Sequence, residues 1–278
     1  MGRILKKERQ KTVNFISFGS GSSGNCYYIK HNGEAILIDA GIGLRTLKKA
    51  AYEYNIDLSL ARALLITHDH ADHVKSVGSL STELAIPVYA TSISHHGIEE
   101  NHFIKKKVSA DKKRTIVPGE EVSIGPFRIT PIEVPHDSHD CVGYFIIVEN
   151  ISFCLLTDIG EVSPATGEYI SRANYLVIEA NYDPEMLAAG PYPEFLRNRI
   201  DSTHGHLSNI DCARAITSYA TPNLHHVWLC HLSQENNHPV LARKTVEMML
   251  RQSGICVGVD FQMDVLNRKR PTGIFNLE

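Results

Sequence analysis

Seven residues, Thr67-His68-Asp69-His70-Ala71-Asp72-His73, carry three imidazoles and two carboxylates directly after the apolar run Ala63-Leu64-Leu65-Ile66. Imidazole nitrogen and carboxylate oxygen are ligands that zinc, manganese and iron accept. A buried strand that ends in such a loop presents its donors at one point. The same pattern recurs downstream. A strand over Phe127 to Val134 ends at His136, one over Ile151 to Leu156 at Asp158, and one over His225 to Cys230 at His231. Upstream, the run Glu34 to Ile38 ends at Asp39, which either orients a ligand histidine or caps the helix that follows. Strand tips on one edge of packed sheets converge. Of the eight residues Asp39, His68, His70, Asp72, His73, His136, Asp158 and His231, seven suit a two-metal site. Such a site holds one ion by three imidazoles and the other by two imidazoles and an aspartate, with a carboxylate between them. Ions so close share a hydroxide able to attack an ester.

The elements that position these residues follow from periodicity and punctuation. Strands are expected at Val13 to Phe18, Cys26 to Lys30, Glu34 to Asp39, Ala63 to Ile66, Ile86 to Ala90, Val122 to Ile124 and Phe127 to Val134. Later ones are Val142 to Val148, Ile151 to Leu156, Tyr175 to Glu179, His225 to Cys230 and Ile255 to Val259, with a short one closing the chain. Helices are expected over Leu44 to Tyr54, His73 to Leu84, Glu185 to Ala189 and Tyr192 to Arg199. Two more are marked by a cap at Ser208 and by Pro239. His95, His96 and His102 have no partner at ligand spacing and read as surface residues or remote supports. No repeat or linker interrupts the order. The expected class is α+β, an αββα sandwich of two mixed sheets flanked by helices, as a single domain over 12–278 behind a loose basic arm, 1–11.

Composition bounds the remainder. The 278 residues have 43% hydrophobic and 21% charged content, ordinary for a globular enzyme, and a formal charge of -3 leaves no global basic footprint. The dense basic cluster, Lys105 to Lys107 with Lys112 to Arg114, is a solvated loop or a phosphate-contacting patch. The six cysteines are scattered without a C-x-x-C pair, which suits small core residues in a reducing compartment. No secretory signal opens the chain and no run reaches membrane-span length, so no membrane contact and a cytoplasmic location are expected. The loop Ser20 to Asn25 offers hydroxyls and amides to a phosphate, through Ser22, Ser23 and Asn25, or is a tight turn.

The H-x-H-x-D-H motif at His68 to His73, with Asp39 before it and His136, Asp158 and His231 after it, resembles the metallo-β-lactamase superfamily over nearly the whole chain. That resemblance implies hydrolytic chemistry with two divalent metal ions, zinc, manganese or iron. It implies His68, His70 and His136 on the first ion, Asp72, His73 and His231 on the second, and Asp158 bridging. Antibiotic-hydrolysing members have Cys where this chain has Asp158, so β-lactam hydrolysis is not expected. A narrower resemblance, to the YycJ/WalJ exonuclease-like group, rests on Ser20-Gly-Ser-Ser-Gly-Asn25, Val134-Pro-His-Asp137, Glu179-Ala-Asn181, Gly205-His-Leu-Ser-Asn209 and His231-Leu-Ser-x-Glu235-Asn-Asn237. It implies a nucleic-acid substrate. The chain is also similar to transfer-RNA 3′-processing nucleases, in which a histidine near the place of His206 assists the leaving group, although it lacks their long exosite arm. Asp72 and His206 are accordingly the catalytic candidates, and His204 and Asp69 are read as structural. A thioester or lactone hydrolase of the glyoxalase II kind uses a similar ligand set, and a non-catalytic binding protein is the third reading. The first would want an apolar acyl pocket, and the second would be expected to have lost ligands.

Overall fold

The computed structural model describes residues 12–278; the expected arm, 1–11, lies outside the described residues. In chain order the elements are β1 (Val13–Gly19), β2 (Cys26–His31), β3 (Glu34–Ile38), α1 (Leu44–Glu53), β4 (Ala61–Leu65), α2 (Ala71–Val74), α3 (Val77–Leu84), β5 (Val88–Ala90), α4 (Ser92–Glu100) and β6 (Lys113–Thr115). The second half runs β7 (Val122–Ile124), β8 (Phe127–Glu133), β9 (Val142–Val148), β10 (Ile151–Leu156), α5 (Pro164–Ser171), β11 (Tyr175–Glu179), α6 (Pro184–Ala189), α7 (Glu194–Ile200), α8 (Asn209–Tyr219), β12 (His226–Cys230), α9 (Pro239–Gln252), β13 (Gln262–Val265) and β14 (Thr272–Leu277).

Two mixed sheets result, with strand orders β14-β1-β2-β3-β4-β5-β6 and β13-β12-β11-β10-β9-β8-β7. The strands' period of two explains the layering. On β1, Val13 and Phe15 face the other sheet, while Ile16 and Phe18 face the helices. On β3, Ile36 and Ile38 point inward and Ala35 and Leu37 outward. The inter-sheet layer is aromatic: Trp228 lies 4.8 Å from Phe15 and 6.1 Å from Phe153, ring centre to ring centre. Two further apolar layers join each sheet to its helices, giving the αββα arrangement.

Strand direction sets where the site forms. β3 and β4 are parallel, and β10, β11 and β12 are parallel. β8 and β10 are both antiparallel to β9, and therefore run the same way. All deliver their C-terminal ends to one edge, the place where open sheets collect ligands.

Two expected elements differ. The helix expected over His73 to Leu84 breaks between α2 and α3, because the Ser76 amide donates to Ala40 O (2.8 Å) and Ala40 N donates to His73 O (2.6 Å). Those bonds tie the metal-loop backbone to the end of β3. The strand expected over Ile255 to Val259 is a turn instead. Gly258 adopts φ 87°, and Asp260 accepts from the Cys256 amide at 2.6 Å. The strand begins only at Gln262.

Candidate metal centre

Each expected donor stands where a strand stops. Asp39 follows β3 and His231 follows β12, and both adopt left-handed backbone, φ 61° and 51°, a conformation non-glycine residues hold only where the surroundings fix it. For Asp39 the fixing bonds are its amide to Leu65 O (2.8 Å) and the Thr67 amide to its Oδ1 (2.9 Å). The His231 amide donates to Ser20 Oγ at 3.0 Å. Gly41 lets the backbone before α1 touch the metal loop, since a Cβ there would fall 1.6 Å from Asp72 O.

The donors gather in overlapping groups: His68, His70 and His136; Asp72, His73 and His231; and His68, His73 and Asp158, in each case with ligand atoms within 4.8 Å of one another. The seven side chains expected from the sequence are thus brought together, with Asp158 between the two trios. A fourth group joins Asp158 and His231 to Glu179 and His206. The burial of these atoms tests whether a metal fits. His68 Nε2, His136 Nε2 and Asp158 Oδ2 are buried without a hydrogen-bond partner. Orphaned buried acceptors are unfavourable, and a divalent cation satisfies all of them together. The donor set therefore fits divalent metal.

Carboxylates aim the second trio. His73 Nδ1 meets Asp39 Oδ2 at 2.7 Å, leaving Nε2 turned toward Asp158 Oδ2 at 3.2 Å. The N-cap of α1 is Gly43, without a side-chain cap, so Asp39 serves the histidine and not the helix. His231 Nδ1 meets Glu179 Oε1 at 2.9 Å, and its Nε2 lies 3.4 Å from Asp72 Oδ2. Two members of the first trio are aimed by neutral groups. His136 Nδ1 donates to Gly205 O at 2.9 Å. Thr67 Oγ1 donates to Asp39 at 3.0 Å and so accepts from His68 Nδ1 at 3.1 Å.

The electrostatics follow this split. Burial opposes charge on His73, yet Asp158, Asp39 and Asp72 outweigh it and raise the imidazole well above its ordinary range. Against burial, Asp158, Asp72 and Glu179 likewise raise His231 to about 10. Burial, with His73 beside it, drives His68 well below the usual value, and burial lowers His136. Asp72 is held down to about 2, the nearby His73 and His231 overcoming its burial.

Glu179, at the end of β11, escaped the sequence-level site. It is fully buried. Oε1 binds His206 Nδ1 (2.8 Å) as well as His231, and Oε2 accepts from the amides of Ile159 (3.0 Å) and Leu207 (3.2 Å). Its signals were an acid at a strand end, the same context as Asp158, and its place in the Glu179-Ala-Asn181 segment of the narrower resemblance, neither of which marked it as a support for two histidines. His206 is one-fifth exposed, and Glu179 and Asp158 raise it against its burial. His204 is exposed and stands outside the cluster. Asp69 packs where a Cβ on Gly97 would lie, 1.9 Å from its Oδ2, and so shapes the loop against α4.

The Ser20 to Asn25 loop divides. Ser22 and Ser23 are exposed and line a cavity of about 310 Å³ that also touches Asp72. Asn25 points inward: Oδ1 accepts from the Gly21 amide (2.9 Å) and Nδ2 lies 2.9 Å from His73 Nε2. Its side chain is engaged within the protein and not with solvent. His95, read as a surface residue or a remote support, is buried and meets Arg114 O at 3.1 Å, holding α4 to β6. In the basic cluster, Lys107 fastens Ile98 O and Asn101 O, and Lys112 fastens Ala85 O. Lys113 pairs with Glu99. Arg268, in the basic stretch before β14, binds the carbonyls of Leu232, Ser233 and Asn237 and so anchors the loop after His231.

No helix among the described residues is long and apolar enough to cross a membrane. The family model described as "Beta-lactamase superfamily domain" matches residues 34–231. Exodeoxyribonuclease YycJ of Bacillus anthracis is 32% identical over 262 residues, 94% of this chain and 98% of the relative. Exodeoxyribonuclease WalJ of Streptococcus pneumoniae serotype 2 is 35% identical over 88% of this chain and 90% of its own length. The crystal structure of the metallo-β-lactamase fold protein YhfI from Bacillus subtilis superposes with a TM-score of 0.68 over 95% of this chain and 99% of that one, at 15% identity, a likeness of fold. The chain belongs to the beta-lactamase superfamily, has the metallo-β-lactamase fold, and within the superfamily falls in the family that holds YycJ and WalJ.

Proposed function

We propose that this protein is a metal-dependent nuclease that hydrolyses phosphodiester bonds in DNA, as an enzyme of the reducing cytoplasm. The observation that carries the reading is the pair of facing trios, His68/His70/His136 and Asp72/His73/His231, with Asp158 between them. Each trio would hold one divalent ion, and zinc, manganese and iron all suit the donors. Bound there, the ions supply Lewis acidity at phosphorus and an activated water.

The chain's own groups supply the remainder. Asp39 and Glu179 fix the rotation of His73 and His231 through their Nδ1 atoms. Asp72 contributes its carboxylate beside His231 Nε2. His206, held through Nδ1 by Glu179, makes no hydrogen bond through Nε2 among the described residues and carries a proton more readily than an ordinary imidazole. That nitrogen protonates the departing oxygen of the cleaved ester. Ser22 and Ser23 face the substrate, and Asn25 supports the loop that presents them. The names of YycJ and WalJ support DNA as substrate. The same two names, both exodeoxyribonucleases, weigh against the thioester alternative.

The test is incubation of end-labelled single- and double-stranded DNA and RNA with protein loaded with Zn²⁺ or Mn²⁺. DNA cleavage abolished in His70→Ala is the expected result. His206→Ala should reduce turnover by ~10²–10⁴-fold with metal content intact. Hydrolysis of a thioester with every strand left whole would overturn the proposal.

A further inference from the structure

Three cavities border the metal centre, and their charges differ. The one beside His206, about 400 Å³, sets Glu161, Asp201 and Asp211 against Arg214. The one beside His136, about 520 Å³, includes Glu133, Asp140 and Glu161. In both, Asp and Glu outnumber Lys and Arg. The third, about 310 Å³, is lined by Ser22, Ser23, Ala71, Asp72, Lys75, Phe103 and Ile104. Its one carboxylate is Asp72, which the proposed function assigns to metal. Lys75 is exposed and, among the described residues, makes no ion pair or side-chain hydrogen bond.

Phe103 is 84% exposed, on the rim of this groove. What distinguishes this ring from the other exposed apolar side chains is its place, in one groove with Asp72, Lys75, Ser22 and Ser23. It is also held in place. The Phe103 amide donates to Asn101 Oδ1 at 3.0 Å, and the Ile104 amide to Asn101 O at 3.1 Å. Ile104 is buried beneath it, and Lys107 Nζ binds Asn101 O at 2.6 Å. These bonds hold the backbone of the turn that carries the exposed ring, and an ordered backbone lowers the entropy lost when a ligand stacks there.

We infer that this groove receives the single-stranded end of a polynucleotide, one unstacked base lying on the Phe103 ring and an adjoining phosphate on Lys75 and the Ser22 and Ser23 hydroxyls. The inference rests on the nuclease reading and names its substrate class. Every base has a face that an aromatic ring can stack upon, whatever its identity, so the contact is tolerant of sequence. A base inside a duplex has both faces covered by its neighbours. The groove therefore selects single strands or frayed ends over intact duplex.

The experiment measures steady-state cleavage of a labelled single-stranded oligonucleotide by the full-length, Mn²⁺-loaded protein. Phe103→Ala should raise KM ~5- to 100-fold, the range for loss of one base stack, with kcat little changed. Phe103→Tyr should restore most of the loss, because it restores the ring. Tyr52→Ala serves as the control, removing a ring 85% exposed at the far end of α1 that lines none of the three cavities. Lys75→Gln should weaken binding of a short fluorescent strand to metal-loaded His206→Ala protein and flatten its salt dependence. A KM for Phe103→Ala equal to that of Tyr52→Ala, with wild type cleaving normally, overturns the groove and leaves the nuclease reading standing. Wild-type protein that cleaves no strand overturns both.

Discussion

The two trios of the metal centre share Asp158 but are held in different ways. Asp72, His73 and His231 sit among carboxylates: Asp39 grips His73 and Glu179 grips His231. His68 and His136 rest on a hydroxyl and a peptide carbonyl. A carboxylate behind an imidazole raises its basicity and locks its rotation more firmly than a neutral acceptor does. The same negative surroundings raise His73 and His231, whereas burial lowers His68 and His136. His73 and His231 are built to stay charged until metal displaces their protons, while His68 and His136 wait neutral.

Glu179→Ala should break the carboxylate side most thoroughly. It strips two histidines of their anchor and leaves the amides of Ile159 and Leu207 without an acceptor. Removing one partner of such a buried network costs about 3–5 kcal/mol, measurable as a lowered midpoint in urea. Activity should fall ~100-fold or more, since supports behind metal ligands carry effects of that order. A midpoint within experimental error of wild type would show that Glu179 anchors nothing.

Asp39→Asn is milder, keeping shape but removing charge from behind His73. Affinity at the Asp72/His73/His231 side should drop ~10–100-fold, while metal on the other trio remains, as read by metal content after dialysis against graded chelator. Equal loss from both trios would erase the distinction drawn between them. Thr67→Val touches the neutral side, deleting the hydroxyl that links His68 Nδ1 to Asp39. Its effect should be the smallest, about 1 kcal/mol of stability in thermal or urea unfolding. An effect larger than that of Asp39→Asn would mean that the hydroxyl, and not the carboxylate, organises the site.

The metal loop was legible because its donors are close in sequence and follow an apolar strand, so local spacing alone encodes convergence. His136, Asp158 and His231 were legible by the same strand-end rule once the sheets' parallel strands shared an edge. Glu179 was not, because a supporting acid and a ligand acid have identical sequence contexts; only their depth separates them. Ser20 and Asn25 illustrate a second limit. Hydroxyls and amides that suit a phosphate also suit buried backbone, and here Ser20 receives the His231 amide while Asn25 braces Gly21 and His73. In the fold, β-branched residues at Ile255 to Val259 suggested a strand, but the left-handed Gly258 and the Asp260 carboxylate close a turn there. Propensity lost to a local hydrogen bond.

Proton bookkeeping during metal binding tests the central contrast most directly. His73 and His231 have folded-state values above the ordinary one, so their stabilising charge is fully present below the ordinary imidazole value and is lost as pH rises through the raised value, about 10 for His231. Asp72, held down to about 2, contributes above the ordinary carboxylate range and is lost only as pH falls through that value. At pH near 7 His73 and His231 therefore enter metal binding protonated, whereas His68 and His136 enter neutral. Calorimetric titration of Zn²⁺ into chelator-stripped protein, in buffers of different ionisation enthalpy, should resolve two events. The event at Asp72, His73 and His231 should release roughly two protons, tightening as pH rises, and the event that engages His68 and His136 fewer. A single event, or equal proton release from both, would contradict the account.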